Sequence, residues 1–195
     1  MASARPRRLR FNAAVSLDGF IAGPNGEYDW ITPDPSFDFA ALVRQFDTLL
    51  LGRHTYELAI TRGHLLQSTG MRIIVISTTL DPRKHPGATV VSSEIRQAVL
   101  ALKAEPGKDI WLFGGGKLFR SLLDAELVDS IELAVMPTLL GGGIPLLPTG
   151  RRCLLRLDSS KALPSGILAL TYSIAKRPPA AAKSRATSPR SKTSP

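Results

Sequence analysis

The stretch Ile110–Leu123, IWLFGGGKLFRSLL, runs an apolar strand into three glycines and then into a helix. Leu118, Phe119, Leu122 and Leu123 recur there at helical spacing. Bare backbone at a helix N-terminus holds phosphate well, because its N–H groups are unsatisfied and its dipole favours negative charge. Two standard phosphate motifs fail on inspection. A P-loop needs a hydroxyl after its lysine, but Leu118 follows Lys117, and no glycine stands five positions before Gly116. A Rossmann fingerprint needs a third glycine where Phe119 stands and an acid about 20 residues on, near Met136, where there is none. A lone triplet is equally a tight turn with no ligand, so its neighbours must decide.

Working outward, the chain alternates strands and helices. LRFNAAV places Leu9, Phe11, Ala13 and Val15 on one side of a strand. FDFAALVRQF sets Phe39, Leu42, Val43 and Phe46 on one face of a helix. TLLLG reads as a buried strand and RHTYELAI as the helix after it; RIIVIS and ATVV are short strands. SSEIRQAVLAL carries Ile95, Ala98, Val99 and Leu102 at helical spacing, with Ser92 or Ser93 as N-cap and Glu94 in the first turn. SIELAVMP is a strand. CLLRL and GILALTYSIA have no helix between them and are expected to pair as an antiparallel hairpin at one edge. The expected fold is a three-layer α/β domain over residues 9–176. It has a mainly parallel sheet, a C-terminal antiparallel hairpin and helices on both faces.

The net charge of +9 invites a nucleic-acid reading until it is located. Ten of the 25 basic residues lie in Arg5–Arg10 and Lys176–Lys192, leaving 15 against all 16 acids in the body. The body is therefore near neutral, and basicity belongs to a tail over 1–8 and an expected disordered tail over 177–195. Neither end has the interleaved aromatics of a nucleic-acid binder, so no specific nucleic-acid partner is expected. Cys153 is the only cysteine, which excludes an internal disulfide and a thiolate metal cluster. No run reaches the length of a membrane helix, and a cytoplasmic protein is expected.

The triplet has company. LLLGRHTYE is a second strand-to-helix turn, with Gly52 and Arg53 at the helix start, and Ser77 to Thr79 end a third strand. Such ends open on one edge of a parallel sheet, where ligands bind. Peptide N–H groups, a cation and hydroxyls suit a dinucleotide with an extra phosphate. The order of SLDGFIAGPNGEYDW, LLLGRHTYE, RIIVIS and IWLFGGGKLF resembles the dihydrofolate reductase superfold. It is most similar to the reductase family named for the C-terminal half of the riboflavin-pathway deaminase–reductase. SLDG and the later PTLLGGGIPLLP point to that riboflavin-type branch.

The resemblance implies hydride transfer from NADPH to a pyrimidine or pterin substrate, most of all 5-amino-6-(5-phosphoribosylamino)uracil, and a homodimer. It puts Gly114, Gly115 and Gly116 around the pyrophosphate, with Lys117, Leu118 and Phe119 continuing along the cofactor. Gly52, Arg53, His54 and Thr55 would face the phosphates, Ser77 and Thr78 the adenosine 2′-phosphate, and Ala14 and Ile21 the nicotinamide. The loop from Ser16 to Trp30 would close over the ring, with Trp30 as a packing lid. Asp38 matches the folate enzymes' acid only after a two-residue shift, and is otherwise a first-turn acid on the helix dipole. Asp18 either serves the substrate or holds a turn. Glu57 braces its own loop. His64 and His85 have no metal-ligand partners at useful spacing.

Three departures separate the chain from true folate reductases. Met71 stands where they carry an arginine for the substrate carboxylate, with Arg72 pointing the other way. Ile144 falls near their late threonine, and Phe119 replaces a tyrosine. Arg151, Arg152 and Lys161 are weak candidates for a substrate phosphate. A divergent pteridine reductase and a non-catalytic dinucleotide-binding protein are the alternatives.

Overall fold

The computed structural model describes residues 5–61 and 70–175. Its main sheet has eight strands: β1 (Leu9–Ser16), β3 (Phe46–Gly52), β4 (Arg72–Ile76), β5 (Thr89–Val91), β6 (Asp109–Gly114), β7 (Ser130–Met136), β9 (Leu155–Ala162) and β10 (Leu168–Ile174). They stand in the order β5-β4-β3-β6-β1-β7-β10-β9. The first six are mutually parallel, and β10 and β9 run antiparallel, as the missing helix between them demands. A second, two-stranded sheet joins β2 (Phe20–Ala22) to β8 (Ile144–Pro145).

Among the described residues four α-helices cover the two faces: α1 (Phe39–Val43), α2 (Arg53–Thr61), α3 (Ile95–Ala104) and α4 (Gly116–Asp124). Period-2 alternation in each strand sends its residues to opposite sides. Leu9, Phe11, Leu50, Ile74 and Leu112 meet Val99 and Leu102 of α3 and Phe119 and Leu122 of α4 on the first face. Phe11 and Phe119 stack with ring centroids 3.8 Å apart. Phe46, Leu49, Leu51, Val75 and Trp111 meet Tyr56 of α2 and Leu42 and Val43 of α1 on the second.

Three expectations need correcting. The helix read through Phe46 ends at Val43, because Phe46 opens β3 opposite Asp109 and packs 5.1 Å from the Trp111 ring. Neither Ser92 nor Ser93 caps α3: Glu94 does so in a left-handed conformation, with no side-chain cap bond. Arg5 and Arg7 are not a free tail. Arg7 is buried, donating to the carbonyls of Lys108 and Leu102, to Thr48 and to the Asp47 carboxylate, while Arg5 pairs with Asp109 at 2.7 Å. His64 and residues 176–195 lie outside the described residues.

Candidate functional site

Parallel strands bring their C-terminal ends to one edge, so Gly52, Ile76, Val91, Gly114 and Ser16 end together. Gly114 and Gly115 press on α2: a Cβ on Gly114 would lie 3.2 Å from the Thr55 methyl, and one on Gly115 3.4 Å from the Thr55 hydroxyl. Gly115 also holds φ +95°, which an L side chain rarely adopts. A Cβ on Gly116 would meet the carbonyls of Pro145 and Leu146 at 3.3 Å. The glycines are thus required by the close approach of three segments. They also leave α4 with no side-chain cap on its first N–H groups.

The N-terminus of α2 stands beside them. Arg53 donates to Glu57 at 2.8 Å and to the Thr79 hydroxyl at 2.6 Å, which fixes its guanidinium on the wall of a cleft of ≈ 330 Å³. Ser77, Thr78, Ser92 and Ile95 line the same cleft. Ser77 is buried, its hydroxyl accepting the N–H groups of Thr79 and Leu80, whereas Thr78 and Thr79 are exposed. His54 projects into solvent at 93% exposure, and Lys117 is exposed on the first turn of α4. Leu118 and Phe119 are core side chains, and the Phe119 N–H already donates to the Gly115 carbonyl. Phe119 therefore has no group left for a cofactor, and Leu118 offers only its backbone.

The SLDGFIA and GGGIPLL segments prove to be two sides of one zipper. Leu17 N–H donates to Thr138, Leu146 N–H donates to Gly19, and Ala22 pairs with Ile144 beside Ile21. Asp18 accepts from the Ser16 hydroxyl at 2.6 Å, Gly141 N–H at 2.7 Å and Leu140 N–H at 3.1 Å. The Ser16 bond, followed by the two backbone bonds, outweighs desolvation and lowers its carboxyl below the usual range. Asp18 holds this zipper ionised and is poorly suited to donating a proton.

Beyond the zipper the loop is pinned rather than free. Trp30, like Ala14 and Ala134, packs against the buried cluster of Met136 with Leu163 and Ile167 of the β9–β10 turn. Asp34 accepts the Ser36 N–H at 2.7 Å, the Ser36 hydroxyl at 2.6 Å and the Ser165 N–H at 3.0 Å. Ser165 and then Ser36 hold its carboxyl far below the ordinary value. Asp38 caps α1, accepting the Ala41 N–H at 2.7 Å, and is exposed beside Arg44 at 3.6 Å.

Two polar groups were passed over in the sequence. The Asn12 amide nitrogen and the Trp111 indole nitrogen are buried without a hydrogen-bond partner among the described residues. Register puts them on one face: Trp111 stands opposite Arg10, and Asn12 is two residues beyond, in line with Ala14. A polar residue inside LRFNAAV, opposite the apolar side, was the available signal. Buried donors left unpaired cost free energy unless something accepts from them.

The model of the RibD C-terminal domain matches residues 7–169. The chain belongs to this family. The uncharacterized protein YyaP of Bacillus subtilis (strain 168) is 32% identical over 86% of this chain and 95% of its own. A Shewanella sp. PV-4 protein provisionally assigned to riboflavin biosynthesis superposes with TM-score 0.76 at 24% identity, over 87% of this chain and 99% of that one. A Thermotoga maritima diaminohydroxyphosphoribosylaminopyrimidine deaminase/5-amino-6-(5-phosphoribosylamino)uracil reductase superposes with TM-score 0.68 at 15% identity, over 87% of this chain and 57% of that one. The structural likenesses show that the chain has the dihydrofolate-reductase-like fold. No helix among its described residues is long and apolar enough to cross a membrane, and no cluster there is arranged for a metal ion.

Proposed function

We propose that this RibD C-terminal domain is an NADPH-dependent reductase of a pyrimidine-type substrate related to 5-amino-6-(5-phosphoribosylamino)uracil. The observation that carries the reading is the meeting of two helix N-termini, α2 and the uncapped α4, with Arg53 fixed on the adjoining cleft wall. Such a cradle fits a pyrophosphate, and the Arg53 side of the cleft fits a further phosphate. Bound there, the cofactor supplies hydride, and the protein's part is to bind, orient and exclude water.

On the second face, Asn12 and Trp111 offer two unpaired donors, which suits a ring presenting carbonyl acceptors. A pterin amidine asks for a carboxylate instead, and the Asp38 carboxylate is spent on its helix cap. Met71 is buried in the second core cluster and provides no clamp for a folate carboxylate. With Asp18 committed to the zipper, the proton is assigned to water or to the substrate. Titration with NADPH and NADH tests the reading: tight NADPH binding with weak NADH binding is expected, and binding of neither overturns it. Binding without oxidation by any pyrimidine ribityl or ribosyl phosphate would favour the non-catalytic alternative.

A further inference from the structure

The sheet has a second edge, opposite the one that carries the glycines. Arg8, Gln45 and Lys108 stand immediately before β1, β3 and β6, so these neighbouring parallel strands bring them together where they begin. A cavity of ≈ 670 Å³ opens there, about twice the ≈ 330 Å³ of the Arg53 cleft. Among the described residues it is lined by Arg5, Arg8, Arg10, Arg44 and Lys108 against two acids, Asp109 and Glu132. Arg7 also reaches its wall, but that guanidinium is spent on Lys108, Leu102, Thr48 and Asp47 inside the fold.

Both acids are already engaged. Asp109 accepts from Arg5 at 2.7 Å, from the Arg8 N–H at 3.0 Å and from Arg10 at 3.3 Å. Glu132 accepts two bonds from Arg10, each at 2.7 Å, and one from the Ser130 hydroxyl at 2.9 Å. They act as struts for Arg10, which also donates to Gln45 at 2.7 Å and lies 4.7 Å over the Phe46 ring. The remaining cations are not answered in this way. Among the described residues the Arg8 and Lys108 side chains make no hydrogen bond or ion pair, each residue being bonded through its backbone alone. Arg44 has an exposed partner, Asp38, at 3.6 Å, the kind of pair that water and salt loosen. Arg8 is half-buried, and a cation drawn partly out of water gains most from an anion brought to it.

We propose that this cavity is a second anion site, one that takes the phosphate chain of a small polyphosphate. Guanidinium forks match phosphate oxygens in pairs, and a fixed arginine loses little freedom in doing so. Several cations around one recess match charges repeated along a chain better than a single one. The recess has the size of a ligand pocket, roughly 300–1,000 Å³. Its cations line walls and form no stripe along a face, which suits a compact ligand and not a nucleic-acid duplex. Strand β10 ends at this same edge, with Ser173 opposite Ser130, and the sequence continues after Ala175 with Lys176 and Arg177. Charge of one sign gathered at one edge raises the local concentration of anions. The cavity and the Arg53 cleft stand at opposite edges, so binding here is independent of the reductase reading.

Calorimetric titration of the full chain with inorganic tripolyphosphate at low salt decides it. The wild type is expected to show a binding step that weakens as salt rises. The variant carrying Arg8→Gln and Lys108→Gln is expected to lose that step at least ~tenfold, while Arg53→Ala keeps it. No binding by the wild type overturns the proposal, as does binding that the double variant retains in full or that Arg53→Ala abolishes. Adenosine triphosphate, run beside it, identifies the source: equal affinity assigns the site to a phosphate chain alone, and tighter binding to that of a nucleotide. A short DNA duplex that binds where tripolyphosphate does not overturns the proposal. Should the double variant misfold, acylation of the wild-type lysines, read by mass spectrometry, decides instead. Protection of Lys108 by tripolyphosphate supports the site, and an unprotected Lys108 overturns it, whatever happens at Lys117 beside the glycines.

Discussion

Among single residues, Arg53 and Phe119 carry opposite lessons. Arg53 is held by Glu57 and Thr79 on the cleft wall, so a phosphate placed there would be met by a preorganised cation. Arg53→Ala is expected to weaken NADPH binding about tenfold, ~1.4 kcal/mol, with a smaller change for NADH; fluorescence titration measures both, and equal losses contradict the assignment. Phe119 lies at a cofactor position by resemblance but is 2% exposed and stacked on Phe11. Phe119→Ala is expected to cost about 3–5 kcal/mol of stability by opening a cavity, read from denaturant melts. Strand ends and glycines were legible in the sequence because they announce themselves locally. The inward side of the helix was legible too, from the spacing of Leu118, Phe119, Leu122 and Leu123; it was the family resemblance that sent Phe119 to the cofactor, against that pattern. Asn12 was half legible: alternation put it on the face opposite Phe11, but only the assembled sheet shows that its amide finds no partner.

At the scale of elements, the zipper between residues 16–22 and 138–146 unites two motifs that lie far apart in the chain. Each was recognisable alone. Their contact was not, because it runs through backbone hydrogen bonds that carry no side-chain signature. Gly143 shows how tight it is: its φ is +147°, and a Cβ would fall 2.2 Å from the Ala22 carbonyl. Gly143→Ala is expected to cost about 1–3 kcal/mol in strain and to open residues 16–22 to protease, which limited proteolysis reports. The loop beyond is expected to respond to acid through Asp34, whose carboxyl the Ser165 and Ser36 hydrogen bonds lower. A carboxyl lowered in the folded state stabilises fully above its unfolded pKa of about 3.9. That contribution is lost as pH falls below this value toward the lowered folded one. Asp34→Asn is therefore expected to melt earlier than wild type at neutral pH, with the gap closing below about pH 3.9. An unchanged gap in thermal melts would show that Asp34 is not the latch.

For the molecule as a whole, strand–helix alternation made the parallel sheet readable, and the missing helix before the last strand made the hairpin readable. The boundary at Leu9 was misjudged because basic residues suggest solvent, whereas Arg7 is buried and answered by Asp47, Thr48 and two carbonyls. Arg7→Ala is expected to cost about 2–3 kcal/mol, as loss of a charged hydrogen-bonded group does, lowering Tm in calorimetry.

The Trp30 wall has a consequence for how this molecule can diversify. Its backing is Leu163 and Ile167, and the Asp34 latch reaches Ser165, so the hairpin turn sets the position of Trp30 while lining none of the cleft around Arg53. Drift in the turn at residues 163–167 can therefore reposition Trp30 while the cleft around Arg53 stays as it is.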